Sequence, residues 1–218
     1  MEVASGLAAV RARVRQAAAR AERDPSSVRL IAVSKTQPAE LVREALQAGQ
    51  TLFGENYAQE LREKSEALGA GVEWHFIGAL QTNKARLVVG RAALIHTCDR
   101  LALAQELSKR ALAAGHVQPV LLEVNVGREP QKAGVLPEDA AALLEEVRGL
   151  EGLRCDGLMC IPPASGDPRP HFRALRELGA TLGLRELSMG MSADFEAAVE
   201  EGATLVRVGT AIFGERAR

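Results

Sequence analysis

Aromatic side chains are scarce in this chain: 3% of 218 residues, with one Trp and one Tyr. The formal net charge is −1. The chain therefore offers neither the stacking platforms nor the positive field that nucleic-acid binding draws on. Cysteine is equally sparse. Cys98, Cys155 and Cys160 are odd in number and match no zinc-ligand spacing, so reduced thiols in a cytoplasmic protein are expected. No run of roughly 18 apolar residues exists to cross a membrane. The N-terminal segment mixes arginine with Ala and Val and lacks the uninterrupted apolar stretch of a signal peptide. Lysine is rare too, with five in all: Lys35, Lys64, Lys84, Lys109 and Lys132.

What is present is a rhythm. An amphipathic helix over 7–22 ends at Asp24-Pro25, and short apolar runs then alternate with helical patterns. The runs are 28–34, 51–53, 72–77, 92–97, 119–126, 155–159, 186–188 and 204–208. The intervening helices span 38–48, 57–68, 84–89, 101–114, 137–148, 169–182 and 194–200. Pro38 starts one helix and Gly49 stops it. Eight strand–helix alternations predict a parallel sheet closed into a (β/α)8 barrel, with an open doubly wound sheet as the alternative. One domain over 1–218 accounts for the length, and the extra N-terminal helix is expected on the barrel floor or side.

Chemistry in such barrels sits where the strands end. Read that way, Lys35, Glu55-Asn56, His75, His96-Thr97, Asn125, Cys160, Ser188 and Arg207 converge on one mouth. Of the lysines, only Lys35 caps a buried strand. Partial desolvation there lowers an amine's pKa and frees its lone pair for condensation with an aldehyde, although a strand-end lysine can also snorkel to water. The loop Ser188-Met189-Gly190-Met191-Ser192 and the pair Gly209-Thr210 offer glycine and hydroxyls where barrels commonly hold phosphate. An amine at strand one and an anion cradle at strands seven and eight are neighbours once the barrel closes. The pair fits a phosphorylated aldehyde cofactor. Arg207, inside the last apolar run, needs an acceptor: the cofactor's pyridine nitrogen, or an acid such as Glu123.

Five segments carry a resemblance: Ala32–Thr36, Phe53–Tyr57, His75–Lys84, Leu187–Asp194 and Val206–Gly214. They are similar to the pyridoxal phosphate homeostasis proteins, over most of the chain. The resemblance implies an alanine-racemase-like barrel with pyridoxal 5′-phosphate (PLP) held as a Schiff base on Lys35. It implies Asn56 beside the ring, Ser188, Ser192, Gly209 and Thr210 around the phosphate, and Arg207 near the pyridine nitrogen. His75–Lys84 matches a signature segment of no assigned contact. Ala79 departs from the proline common there. No metal is implied. Family members are thought to carry or buffer the cofactor without an established reaction.

The competing activity is a PLP-dependent amino-acid racemase. Racemases of this fold pair the lysine with a tyrosine from an added β domain. Here the sequence runs only eight residues past Thr210, and its single tyrosine, Tyr57, adjoins Asn56. A second base is thus missing. A cofactor-free sugar-phosphate barrel would show more carboxylates at strand ends than Glu55 and Glu123. The expectation is a non-catalytic, monomeric cofactor carrier, with PLP-dependent apoenzymes as transient recipients.

Overall fold

The computed structural model describes residues 2–214. Eight parallel strands form a closed barrel in sequence order: β1 (Arg29–Val33), β2 (Leu52–Glu55), β3 (Glu73–Phe76), β4 (Leu94–Cys98), β5 (Gln118–Glu123), β6 (Leu153–Met159), β7 (Glu186–Ser188) and β8 (Leu205–Val208). Closure comes from β8 pairing with β1, with Arg29 opposite Leu205 and Ile31 opposite Arg207. The helices are α1 (Val3–Arg20), α2 (Ala39–Gln47), α3 (Ala58–Leu68), α4 (Ala85–Val88), α5 (Leu101–Ala113), α6 (Ala140–Arg148), α7 (Arg169–Leu182), α8 (Phe195–Glu200) and α9 (Thr210–Phe213). The expected barrel is therefore found, and the expected span of 1–218 extends beyond the described residues.

Alternation along each strand separates two cores. On β1, Ile31 and Val33 point inward with Leu52, Ile77, Leu94, Leu121, Met159 and Leu205. Ala32 points outward into the larger layer between barrel and helices, with Phe53, Trp74, Phe76, Ile95, Leu107, Phe172 and Phe195. Continuing the inward parity past Val33 places Lys35 at the top of the barrel lumen.

The first helix lies on the side of the barrel. Its buried stripe, Val3, Leu7, Val10, Val14, Ala17 and Ala18, packs against α8, α9 and α2. The approach to α9 is close: a Cβ on Gly6 would come within 2.7 Å of the Ile212 carbonyl oxygen. The last helix was not anticipated. Four-residue α9 is too short to show helical periodicity.

Candidate functional site

The C-terminal rims of β1, β2, β3, β6, β7 and β8 enclose a cavity of about 320 Å³. Lys35, Asn56, Ser192, Arg207, Gly209 and Thr210 line it, together with Val33, Ile77, Ile161 and Met191. Lys35 is half-buried and leaves β1 just before a strained residue. Thr36 has φ +62°, unusual for a β-branched side chain, and its amide donates to Glu60 Oε2 at 2.8 Å. The turn that aims Lys35 is thus pinned from α3.

Across the cavity the chain offers anion donors. The amides of Ser192, Ala193, Gly209 and Thr210 have no hydrogen-bond partner among the described residues. Gly190 turns the β7 loop at φ +91°, where a Cβ would press on Ala198 and Phe195. Its carbonyl accepts from the Arg207 amide at 3.0 Å, which ties this loop to β8. A Cβ on Gly209 would sit 3.1 Å from the Val33 carbonyl oxygen. Glycine there lets the β8 loop lie against the strand that carries Lys35.

Arg207 forms the inner wall, 4% exposed. Burial depresses its pKa. Nη1 donates to Ser188 Oγ at 2.6 Å and Nη2 to the Cys160 carbonyl at 3.0 Å. No ion pair joins it to Glu123 among the described residues, so the acid partner considered above is replaced by neutral acceptors. Glu123 is buried on β5, and that burial pushes its pKa up to about 7.

Ser188 is placed differently from the other expected residues. It is fully buried and lies outside the cavity wall, its hydroxyl shared between Arg207 and His96 Nδ1, the latter at 2.8 Å. Of the two hydroxyls in that loop, Ser192 alone faces the cavity.

Sequence reasoning missed Lys64. A Glu60/Lys64 pair looks like a solvated i,i+4 bridge on α3. Yet Lys64 is buried, and its Nζ donates to the Ser34 carbonyl, to Glu55 Oε1 (both 2.7 Å) and to Glu60 Oε2 at 2.9 Å. Glu55 Oε1 also accepts from Ser34 Oγ at 2.7 Å. This buried cluster braces the end of β1 from behind. Burial raises the Glu55 pKa more than Lys64 lowers it. The thiols are unpaired, and burial pushes Cys98 and Cys160 up to about 12 and Cys155 to about 11, far from thiolate chemistry.

The signature segment 75–84 bounds a second cavity of about 490 Å³, which shares Asn56 with the first and is walled by Tyr57, Gln81, Lys84, Asp99 and Arg100. A Cβ on Gly78 would run into the Asn56 carbonyl, so glycine here seats Asn56 between the two cavities.

The family model of the alanine racemase N-terminal domain matches residues 6–217. A pyridoxal phosphate homeostasis protein of Aquifex aeolicus is 47% identical, with 99% of each chain covered. One from Pseudomonas aeruginosa is 50% identical, covering 98% of this chain and 96% of the relative. The chain belongs to the pyridoxal phosphate homeostasis family. Among solved structures, PipY of Synechococcus elongatus with PLP bound is 39% identical, with a TM-score of 0.85 over 97% of this chain and all of PipY. An alanine racemase of Clostridium difficile, 13% identical, shares the fold with a TM-score of 0.77; this chain spans 56% of it.

No helix among the described residues is long and apolar enough to cross a membrane. They contain no group of three metal-ligating side chains.

Proposed function

We propose that the cavity takes pyridoxal 5′-phosphate, that Lys35 supplies the amine for its Schiff base, and that the protein carries and buffers the cofactor without turning over a substrate. One observation carries this reading. Lys35, the only lysine of the cavity wall, faces four amides without partners, with an arginine held between them at depth. When bound, the group supplies an aldehyde carbon and a phosphate, and each has a counterpart here. The amides of Ser192, Ala193, Gly209 and Thr210, with the hydroxyls of Ser192 and Thr210, would hold the phosphate. Asn56 would flank the ring. The relatives' common name and the PLP bound to PipY support the same assignment.

Arg207 argues for a carrier. A guanidinium keeps its protons, so it presents a donor to a pyridine nitrogen and leaves that nitrogen unprotonated. A ring in that state is a weak electron sink. The racemase alternative needs a second base on the face opposite Lys35. The single tyrosine, Tyr57, is 54% exposed and borders the neighbouring cavity instead. We place the protein in the cytoplasm as a one-domain monomer that hands PLP to apoenzymes.

The purified protein should absorb visible light once loaded with PLP. Borohydride reduction and peptide mapping should find the adduct on Lys35, and Lys35→Ala should lose both signals. A preparation that takes up no PLP, or a label on Lys64 or Lys132, overturns the reading. Alanine should racemise no faster than with free PLP.

A further inference from the structure

Barrel interiors are usually filled by branched aliphatic side chains. The lumen of this one is crossed by a file of polar groups instead. His75 on β3, His96 on β4, Ser188 on β7 and Arg207 on β8 are all buried. They touch in sequence: Arg207 Nη1 to Ser188 Oγ at 2.6 Å, Ser188 Oγ to His96 Nδ1 at 2.8 Å, His96 Nε2 to His75 Nδ1 at 2.9 Å, and His75 Nε2 to Glu73 Oε1 at 3.1 Å. Glu73 opens β3 at the opposite end of the barrel, where it is exposed and lies 3.7 Å from Arg29.

The chemistry of the two ends sets the direction of every link. Arginine can only donate, so Ser188 Oγ accepts from it. The one hydroxyl hydrogen of Ser188 then has His96 Nδ1 as its acceptor. His96 must carry its proton on Nε2 and donate to His75 Nδ1. His75 must carry its own on Nε2 and donate to Glu73, which as a carboxylate can only accept. The opposite direction leaves the Ser188 hydrogen without an acceptor and sets a bare imidazole nitrogen against Glu73. Only one arrangement satisfies all five groups.

Resting on the cavity reading above, we infer that Ser188, His96 and His75 are positioning residues that hold Arg207 by a one-way train of donors ending at Glu73, so that protonation inside the barrel loosens the grip on PLP. A second proton on His96 turns Nδ1 into a donor and strands the Ser188 hydrogen. A second proton on His75 sets two N–H groups head to head. Either event breaks the chain that fixes Arg207. His96 is faced by His75 from β3, Ser188 from β7, Arg207 from β8 and Arg29 from β1. His75 is faced by Glu73 on its own strand, Arg29 on β1 and Glu186 on β7. Burial, reinforced at His96 by the nearby cations, lowers both imidazole pKa values and keeps them neutral near pH 7. Glu73 pulls the other way at His75.

Two measurements test this. With no cofactor, ¹⁵N-histidine NMR at pH 8 should find both rings in the Nε2–H tautomer; either ring as Nδ1–H overturns the inference. With PLP loaded, its release rate should be followed between pH 8 and pH 5. Ser188→Ala should still load on Lys35 but release about tenfold faster at pH 8, with a flattened acid limb. Glu73→Gln, a change at an exposed position far from the cavity, should shift the acid limb to lower pH, because His75 loses the anion that favours its protonation. Wild-type release profiles in both variants overturn the inference. A wild type that binds no PLP sinks the cavity reading alone and leaves the tautomer result to stand or fall by itself.

Discussion

Glu123 ends β5 with a carboxyl only 7% exposed, and burial raises its pKa from 4.5 to about 7. A group whose folded pKa lies above its unfolded value binds more protons in the folded state. Its contribution is therefore present at low pH and is lost as pH rises through about 7. That rise corresponds to about 3 kcal/mol by pH 8. Glu123→Gln should thus raise the melting temperature at pH 8 by about 5 °C or more and change it little at pH 5, as read by thermal denaturation at both pH values. Lys35 and Arg207 stand out in the sequence because each places a charge at the end of or inside an apolar run, and the structure brings both to one cavity wall. Lys64 was not legible. Its burial depends on Glu55 and the Ser34 carbonyl, which only the packing of β1, β2 and α3 brings to it. Ser188 and Ser192 look alike in the sequence, yet the end of β7 turns one into the lumen and the other toward the mouth.

Among the elements, long periodic helices were read closely: the expected 169–182 coincides with α7 and 38–48 with α2 to within a residue. The ends of apolar runs were read less well. The fifth run was expected to reach Val126, but β5 stops at Glu123. There Val124 bridges to Val135, while Asn125 clamps the following turn through the Glu129 amide and carbonyl. A side-chain-to-backbone clamp of this kind competes with the strand ladder. Gly78 after β3 offers a test at this scale. In Gly78→Ala the methyl must displace the Asn56 backbone, so stability should fall by about 2–4 kcal/mol in urea unfolding, with weaker PLP uptake because Asn56 lines the cavity. On α1, Gly6→Val should lower the melting temperature by several degrees, since the contact it disturbs is with Ile212 and Ala211 on α9.

At the scale of the whole molecule, the alternation of patterns was enough to foresee a closed barrel, because eight parallel strands with short connections have few other ways to bury both faces. It could not foresee the polar file through the lumen, which joins residues of four strands 73 to 207 in the chain. That file gives the barrel an acid sensitivity. His75 and His96 have folded pKa values below their ordinary 6.5, so the unfolded chain binds protons that the folded barrel refuses. Stability is complete above about pH 6.5 and is lost as pH falls below it. In the Glu123→Gln background, which removes one opposing contribution, unfolding free energy should fall as pH is lowered from 7 to 5 in denaturant titrations.

The contact between α1 and α9 also bears on how the chain acquires its shape. Val3, Leu7, Val10 and Val14 emerge during synthesis long before α8 and α9, which cover them. β1 likewise waits for β8 to close its open edge. Until α8, β8 and α9 are made, a sticky helical stripe and a bare strand edge remain uncovered, the condition under which nascent chains misassociate. A ribosome-bound intermediate halted before residue 195 should therefore be a preferred client of holdase chaperones, and release past residue 213 should end that dependence.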